Sequence, residues 1–193
     1  MGKTVPTKVK KCNASQKGSS FEREICKKLS KWYSKDVLNK ESDDMFWRTA
    51  GSGARATVRK KAGLKTADSY GDIQAIHQDA KPFTELFLLE LKRGYSKDIS
   101  VLGFVDSKKE QILSKWINKA EEERKGAKRK EVLIIFKRDR HEECILISKK
   151  VFDLHFLNCY EFVSINNKYF IIKLDTFLSV ISPKSLMKGI KNG

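Results

Sequence analysis

The run Val132-Leu133-Ile134-Ile135-Phe136 constrains this chain more than any other feature. In a strand alternate side chains point to opposite faces, so five consecutive apolar residues leave neither face fit for water. Such a strand must be covered above and below by helices, which restricts the fold to a layered α/β architecture. A second run, Glu85-Leu86-Phe87-Leu88-Leu89-Glu90-Leu91-Lys92, is apolar at its centre and reads as a long strand of the same sheet.

The remaining elements arrange themselves around these two runs. Phe21, Ile25, Leu29 and Trp32/Tyr33 fall on one helical stripe, and Ser19 stands where an N-cap belongs, so a helix is expected from about Ser20 to Tyr33. Met45 to Thr49 reads as a strand cut off by Ala50-Gly51-Ser52-Gly53. Asp72 to His77 reads as a short strand which, after a turn at Asp79 to Pro82, forms a hairpin with the Glu85 to Lys92 strand. Gly94 to Gly103 reads as a loop. Ile112, Leu113, Trp116, Ile117 and Ala120 then mark the inner face of a second helix, which runs into the charged segment Glu121 to Lys130. Strands are expected at Cys144 to Ser148, Tyr160 to Ile165 and Tyr169 to Leu174, the last two joined through Asn166-Asn167, a pair that tolerates positive φ. Residues 19–193 thus form one α/β domain with an αβββαβ core, a mixed central sheet flanked by helices and extra C-terminal strands. Residues 1–18, with five lysines and little to bury, read as a flexible basic arm.

Forty Lys and Arg against twenty-four Asp and Glu leave a formal net charge of +16, which attracts a polyanion by phosphate contact and counterion release. Nucleic acid is the leading partner; an anionic lipid surface, or lysine used only for solubility, are the plainer readings. The loop 53–70 concentrates Arg55, Arg59, Lys60, Lys61 and Lys65 among few large apolar groups and is expected to touch DNA. Four scattered cysteines without a Cys-x-x-Cys pair indicate neither a zinc module nor a disulfide framework and fit a reducing cytoplasm. No apolar run approaches a membrane span and no signal peptide is evident, so no membrane partner is expected.

Glu90 and Lys92 share one face of their strand, which delivers a carboxylate and an ammonium to one spot. Asp72, directly after Gly71, is placed beside Glu90 by the expected hairpin. Two carboxylates that close repel each other, and a divalent cation reverses that repulsion. This Gly-Asp-Ile, then about eighteen residues on Glu-Leu-Lys, resembles the PD-(D/E)XK nuclease superfamily. Upstream, Gly18-Ser19-Ser20-Phe21-Glu22-Arg23-Glu24 with its helix, and Arg48-Thr49-Ala50-Gly51-Ser52, are similar to the N-terminal helix and Arg-x-x-Gly-Ser segment of archaeal-type and phage Holliday junction resolvases within it.

The resemblance implies a restriction-endonuclease-like fold and a Mg²⁺-dependent endodeoxyribonuclease, Mn²⁺ substituting, that leaves 5′-phosphates and serves DNA recombination or repair. It implies metal ligation by Glu22, Asp72 and Glu90, a catalytic role for these with Lys92, and phosphate contacts or site shaping by Arg23, Arg48 and Ser52. A resolvase makes paired nicks in a four-way junction, so a homodimer is expected. A phage-encoded protein would act in the host cytoplasm. The insertion between Ser52 and Asp72 and the extended C-terminal part depart from the shorter resolvases. The substrate is therefore open between branched DNA and duplex or single-stranded DNA.

Plainer readings exist for each residue. Ser19-Ser20-Phe21-Glu22 is also a capping box; Asp72 after a glycine also suits a turn; Glu90 and Lys92 also suit an exposed strand end. On those readings the chain is a non-catalytic basic DNA-binding protein. Gly51-Ser52-Gly53 lacks the lysine of a phosphate-binding loop. His77, His141 and His155 show no ligand spacing, and Gln111 falls opposite the apolar stripe of its helix and is left out of the site. Lys137, after a buried strand, is a weak candidate for a DNA contact, and Trp32, Trp47 and Trp116 are expected in the core.

Overall fold

The computed structural model describes residues 14–49, 70–95, 99 and 111–192. A five-stranded sheet carries the domain. It is built from β3 (Phe87–Arg93), β4 (Glu131–Lys137), β5 (Glu143–Ser148), β6 (Val163–Ile165) and β7 (Tyr169–Lys173) in the spatial order β3-β4-β5-β7-β6. The β3–β4 pair is parallel and the remaining pairs are antiparallel, so the sheet is mixed. A separate two-stranded ladder pairs β1 (Phe46–Arg48) with β2 (Ile73–Ala75).

Helices cover both faces, as the apolar run of β4 demands. On one face Leu133 and Ile135 of β4 pack with Phe87, Leu89 and Leu91 of β3 against α1 (Ala14–Val37), α2 (Lys81–Leu86), α4 (Lys149–His155), α5 (Leu174–Val180) and α6 (Pro183–Asn192). On the other, Val132, Ile134 and Phe136 pack with Leu88 against Leu113, Trp116, Ile117 and Ala120 of α3 (Ile112–Gly126). The result is a three-layer restriction-endonuclease-like α/β fold. No helix among the described residues is long and apolar enough to cross a membrane.

Several expectations are corrected. The first helix begins at Ala14, inside the stretch read as an arm, and continues to Val37. Ser19 and Ser20 are interior to it, and the Ser19 hydroxyl donates back to the Gln16 carbonyl, as a mid-helix serine does. The capping box therefore does not form. The hairpin between the second and third strands is also absent, because β2 pairs with β1 instead. A 3₁₀ turn (Gln78–Ala80) and α2 intervene, and Glu85, read as strand, lies in α2. Pro82 at the helix start and buried Phe83 and Leu86 favour that turn of helix over strand.

The strand expected from Tyr160 shortens to Val163–Ile165, and Asn166 and Asn167 turn the chain at φ 51 and 53 as the hairpin requires. Helices α4, α5 and α6 were not anticipated. Trp116 is buried and Trp32 packs against the core, but Trp47 is 40% exposed. The alternation of β1 buries Phe46 completely and turns its neighbour out. The basic loop 53–70, apart from Tyr70, and the arm up to Asn13 lie outside the described residues, as does Ser52.

Candidate active site

Strand β3 is an edge of the five-stranded sheet, and its free edge is where the acidic residues meet. Gly71 brings Asp72 there. Its φ is +71, and a Cβ on it would stand 2.7 Å from the Leu89 carbonyl oxygen, so only glycine permits so close an approach. The Asp72 backbone N–H then donates to the Leu89 carbonyl at 2.8 Å, and the Asp72 Oδ2 accepts the Leu91 N–H at 2.8 Å. Asp72 thus reaches β3 without the hairpin, through one backbone and one side-chain bond.

Glu90 and Lys92 project from β3 on the same face as Leu88, toward α3. Glu90 is 4% exposed, which excludes the reading of a solvated strand end. Lys92 Nζ lies 2.5 Å from Glu90 Oε2 and 3.9 Å from Asp72 Oδ2, so one ammonium bridges a buried and a partly buried carboxylate. Glu22 enters from α1, with Oε2 3.0 Å from Arg48 Nε. That oxygen is buried and has no aligned hydrogen bond, so its link to Arg48 is a charge contact rather than a directed bond. The Thr49 hydroxyl is likewise buried without a partner, on the residue whose N–H donates to the Asp72 carbonyl. The expected Arg-x-x-Gly-Ser segment had drawn attention to Arg48 and Ser52; Thr49 carried no signal there beyond its place between them.

The electrostatics agree with the geometry. Burial, then the Glu90 charge, pushes the Asp72 carboxyl above its usual range, and the Lys92 charge and the Leu91 N–H only partly offset this. Glu90 is raised by burial and by Glu123 of α3, against the Lys92 charge. Glu22 is raised by burial and by Asp72, against Arg48, Arg23 and Lys92. Lys92 is held above the ordinary lysine range: burial opposes its charge, but Glu90 and Asp72 outweigh burial. It is an ammonium at neutral pH and cannot serve as a base there.

Two raised carboxyls on one ammonium, with the raised Glu22 carboxyl in electrostatic range of Asp72, are a site with too much negative charge for its depth, which is the condition a further cation relieves. Among the described residues no three His, Cys, Asp or Glu side chains converge closely enough to form a complete cage. A hard cation that keeps several waters and takes one or two carboxylates does not need one. The donor set is all oxygen, and the two orphaned oxygens of Glu22 and Thr49 are polar atoms lacking a partner. These residues fit such an ion.

Other candidates separate from this centre. Arg23 is exposed beside Glu22. Lys137 is engaged with Glu143 Oε1 at 2.9 Å rather than projecting freely. His77 caps the 3₁₀ turn through Nδ1, and His155 packs in α4; neither approaches the site. Arg55, Arg59, Lys60, Lys61, Lys65 and Ser52 lie outside the described residues.

A family model described as "Phage putative PDDEXK endonuclease" matches residues 13–188 of the chain. Comparison with curated proteins and with solved structures finds no significant match in either.

Proposed function

The chain belongs to the phage PDDEXK endonuclease family, and from that membership we propose a divalent-metal-dependent DNA endonuclease whose working residues are Glu22, Asp72, Glu90 and Lys92. One observation carries the assignment: Lys92 bridges Asp72, from the bend before β2, and Glu90 of β3, at the free edge of β3.

Asp72, Glu90 and Glu22 are the residues that would hold Mg²⁺, for which Mn²⁺ substitutes. Such an ion supplies Lewis-acid polarisation of the phosphoryl oxygens and a more acidic bound water. The chain supplies the rest. The Leu91 N–H fixes the Asp72 carboxylate in one orientation. Lys92, permanently charged, offsets negative charge that grows on the phosphoryl oxygens during in-line displacement. Arg48 holds Glu22 toward the centre, and the covering of Glu90 by α3 and the sheet excludes bulk water, which strengthens each of these interactions.

For the substrate, the ion pair that ties α1 to the strand-end Arg48 supports the resolvase likeness, since it joins the two upstream segments that carry it. The reading is then a structure-selective enzyme that makes paired nicks in branched DNA as a homodimer. The family description, which names a phage endonuclease and no branched substrate, favours a second reading, cleavage of linear duplex or single-stranded DNA. End-labelled four-way junction and linear duplex of the same arms, incubated with the full chain and MgCl₂ or MnCl₂, test both. Cleavage that vanishes in EDTA, in Asp72→Asn and in Lys92→Ala, with junction binding retained, is expected. No cut with any divalent ion leaves only a basic DNA-binding protein. Equal rates on both substrates remove the resolvase reading.

A further inference from the structure

Among the described residues six non-glycine residues have positive φ, and five of them sit where chains ordinarily turn: Asn39 after α1, Lys128 after α3, Arg140 between β4 and β5, and Asn166 and Asn167 between β6 and β7. The sixth, Tyr95 at φ 61, follows Gly94 at φ 98 directly beyond the β3 end that carries Glu90 and Lys92. A left-handed conformation costs an L-residue free energy, and an aromatic one is an unusual choice there. Burial does not compensate, because Tyr95 is 42% exposed. Such strain, where the surroundings hold it, concentrates at sites that use it.

The surroundings do hold it. The Gly94 N–H donates to the Lys137 carbonyl at 3.0 Å, and the Ile99 N–H donates to the Tyr95 carbonyl at 3.2 Å. The ring makes a T-shaped contact with Trp116 of α3, with centroids 5.0 Å apart and planes at 75°. Trp116 is itself locked against Phe136. The Trp116 contact holds the ring against α3 while 42% of Tyr95 stays open to solvent. Tyr95 stands three residues beyond Lys92, just past the end of β3, so the ring adjoins the strand end that carries the site.

We propose that Tyr95 is a stacking platform for a nucleobase adjoining the cleaved phosphodiester, and that it takes a base already out of its helical stack. The inference rests on the proposed nuclease site. A base inside a continuous duplex has both faces covered by neighbours; only one splayed at a branch point or in a single strand offers a face to a fixed ring. Tyr95 therefore biases the enzyme toward branched or single-stranded DNA over intact duplex.

The test compares the full-length chain with Tyr95→Phe, which keeps the ring, and Tyr95→Leu, which keeps an apolar cover on Trp116 but cannot stack. Binding of a fluorescein-labelled four-way junction, a single strand and a linear duplex is read by anisotropy in EDTA, with thermal midpoints in parallel. Base–aromatic stacking sets the expected effect: Tyr95→Leu weakens junction and single-strand binding by about tenfold or more, leaves duplex binding within about twofold, and Tyr95→Phe restores the preference. Equal binding by Tyr95→Leu and the unaltered chain overturns the proposal. So does a uniform loss on all three DNAs that tracks a lowered thermal midpoint, which would make Tyr95 a packing residue, and so does an unaltered chain with no preference. Because these readouts need no cleavage, a chain that binds selectively but never cuts refutes the nuclease reading alone.

Discussion

Asp72→Asn should abolish activity and, in EDTA at neutral pH, make the protein more stable. The substitution preserves an oxygen to accept the Leu91 N–H while removing one charge. Lys92 Nζ lies 2.5 Å from Glu90 Oε2 and 3.9 Å from Asp72 Oδ2, so those two oxygens are at most about 6.4 Å apart. At an effective dielectric near 20 their repulsion is at least about 2.5 kcal/mol, against about 4 kcal/mol of attraction between Asp72 and Lys92. Burying a carboxylate that is 17% exposed adds an unfavourable contribution of several kcal/mol. The upward shift of the Asp72 pKa, with burial first and Glu90 second among its causes, says that the opposing effects win. We expect a net gain of about 1–2 kcal/mol, or roughly 2–8 °C in thermal midpoint for a chain of this size. Because the folded-state value is raised, the charged form costs stability as pH climbs from about 4 through that value. The advantage of the asparagine variant therefore appears in that rise and vanishes below it. Saturating divalent ion should reverse the order, adding about 2.7 kcal/mol to the unaltered protein at a hundred times its dissociation constant and little to the variant. Scanning calorimetry of both proteins, with EDTA and with CaCl₂, measures this. A lower midpoint for Asp72→Asn in EDTA at pH 7 refutes the reasoning.

Lys92→Met removes the cation between the buried Glu90 and the partly buried Asp72 carboxylates and should cost about 3 kcal/mol without metal, lowering the midpoint by roughly 6–12 °C; added divalent ion should recover more stability than it gives the unaltered protein. Gly71→Ala forces a Cβ to 2.7 Å from the Leu89 carbonyl in a left-handed conformation, and should cost roughly 2–5 kcal/mol by urea titration while also displacing Asp72. Glu143 lies between Lys28 at 2.6 Å and Lys137 at 2.9 Å; burial opposes its charge, but both lysines outweigh burial and hold its carboxyl below the usual range. Its contribution is present above about pH 4.5 and is lost as pH falls through the depressed value. Glu143→Gln should thus lower stability at pH 7 by about 1–2 kcal/mol, or roughly 2–8 °C in thermal midpoint, since both lysines reach solvent, with the gap closing in acid.

The layered fold was legible because its signals are local and redundant. Five apolar residues in β4 require cover on both faces wherever the strand lies, and the stripes of α1 and α3 supply it. The asparagine pair of the β6–β7 turn was equally plain, since its backbone preference needs no distant partner. Short elements were not legible. Helices of seven residues, such as α4 and α5, form because Phe152 and Phe177 find aromatic partners across the core, and spacing over so few positions does not distinguish them from loops.

The candidate site divides in the same way. Residue types and order along the chain were enough to bring Asp72, Glu90 and Lys92 into one hypothesis, because Glu-x-Lys on a strand must share a face, and the family resemblance added Glu22. The sequence also carried the charge that draws DNA. Only the tertiary structure decided how Asp72 gets there: not by a hairpin, but by a glycine pressed against the Leu89 carbonyl and a side-chain bond to the Leu91 N–H. Only it exposed the bridging place of Lys92, the orphaned Glu22 and Thr49 oxygens, and Tyr95 propped on Trp116. Local composition determines what a segment prefers to be. Which atoms from distant segments come within a few ångströms depends on how every layer packs at once.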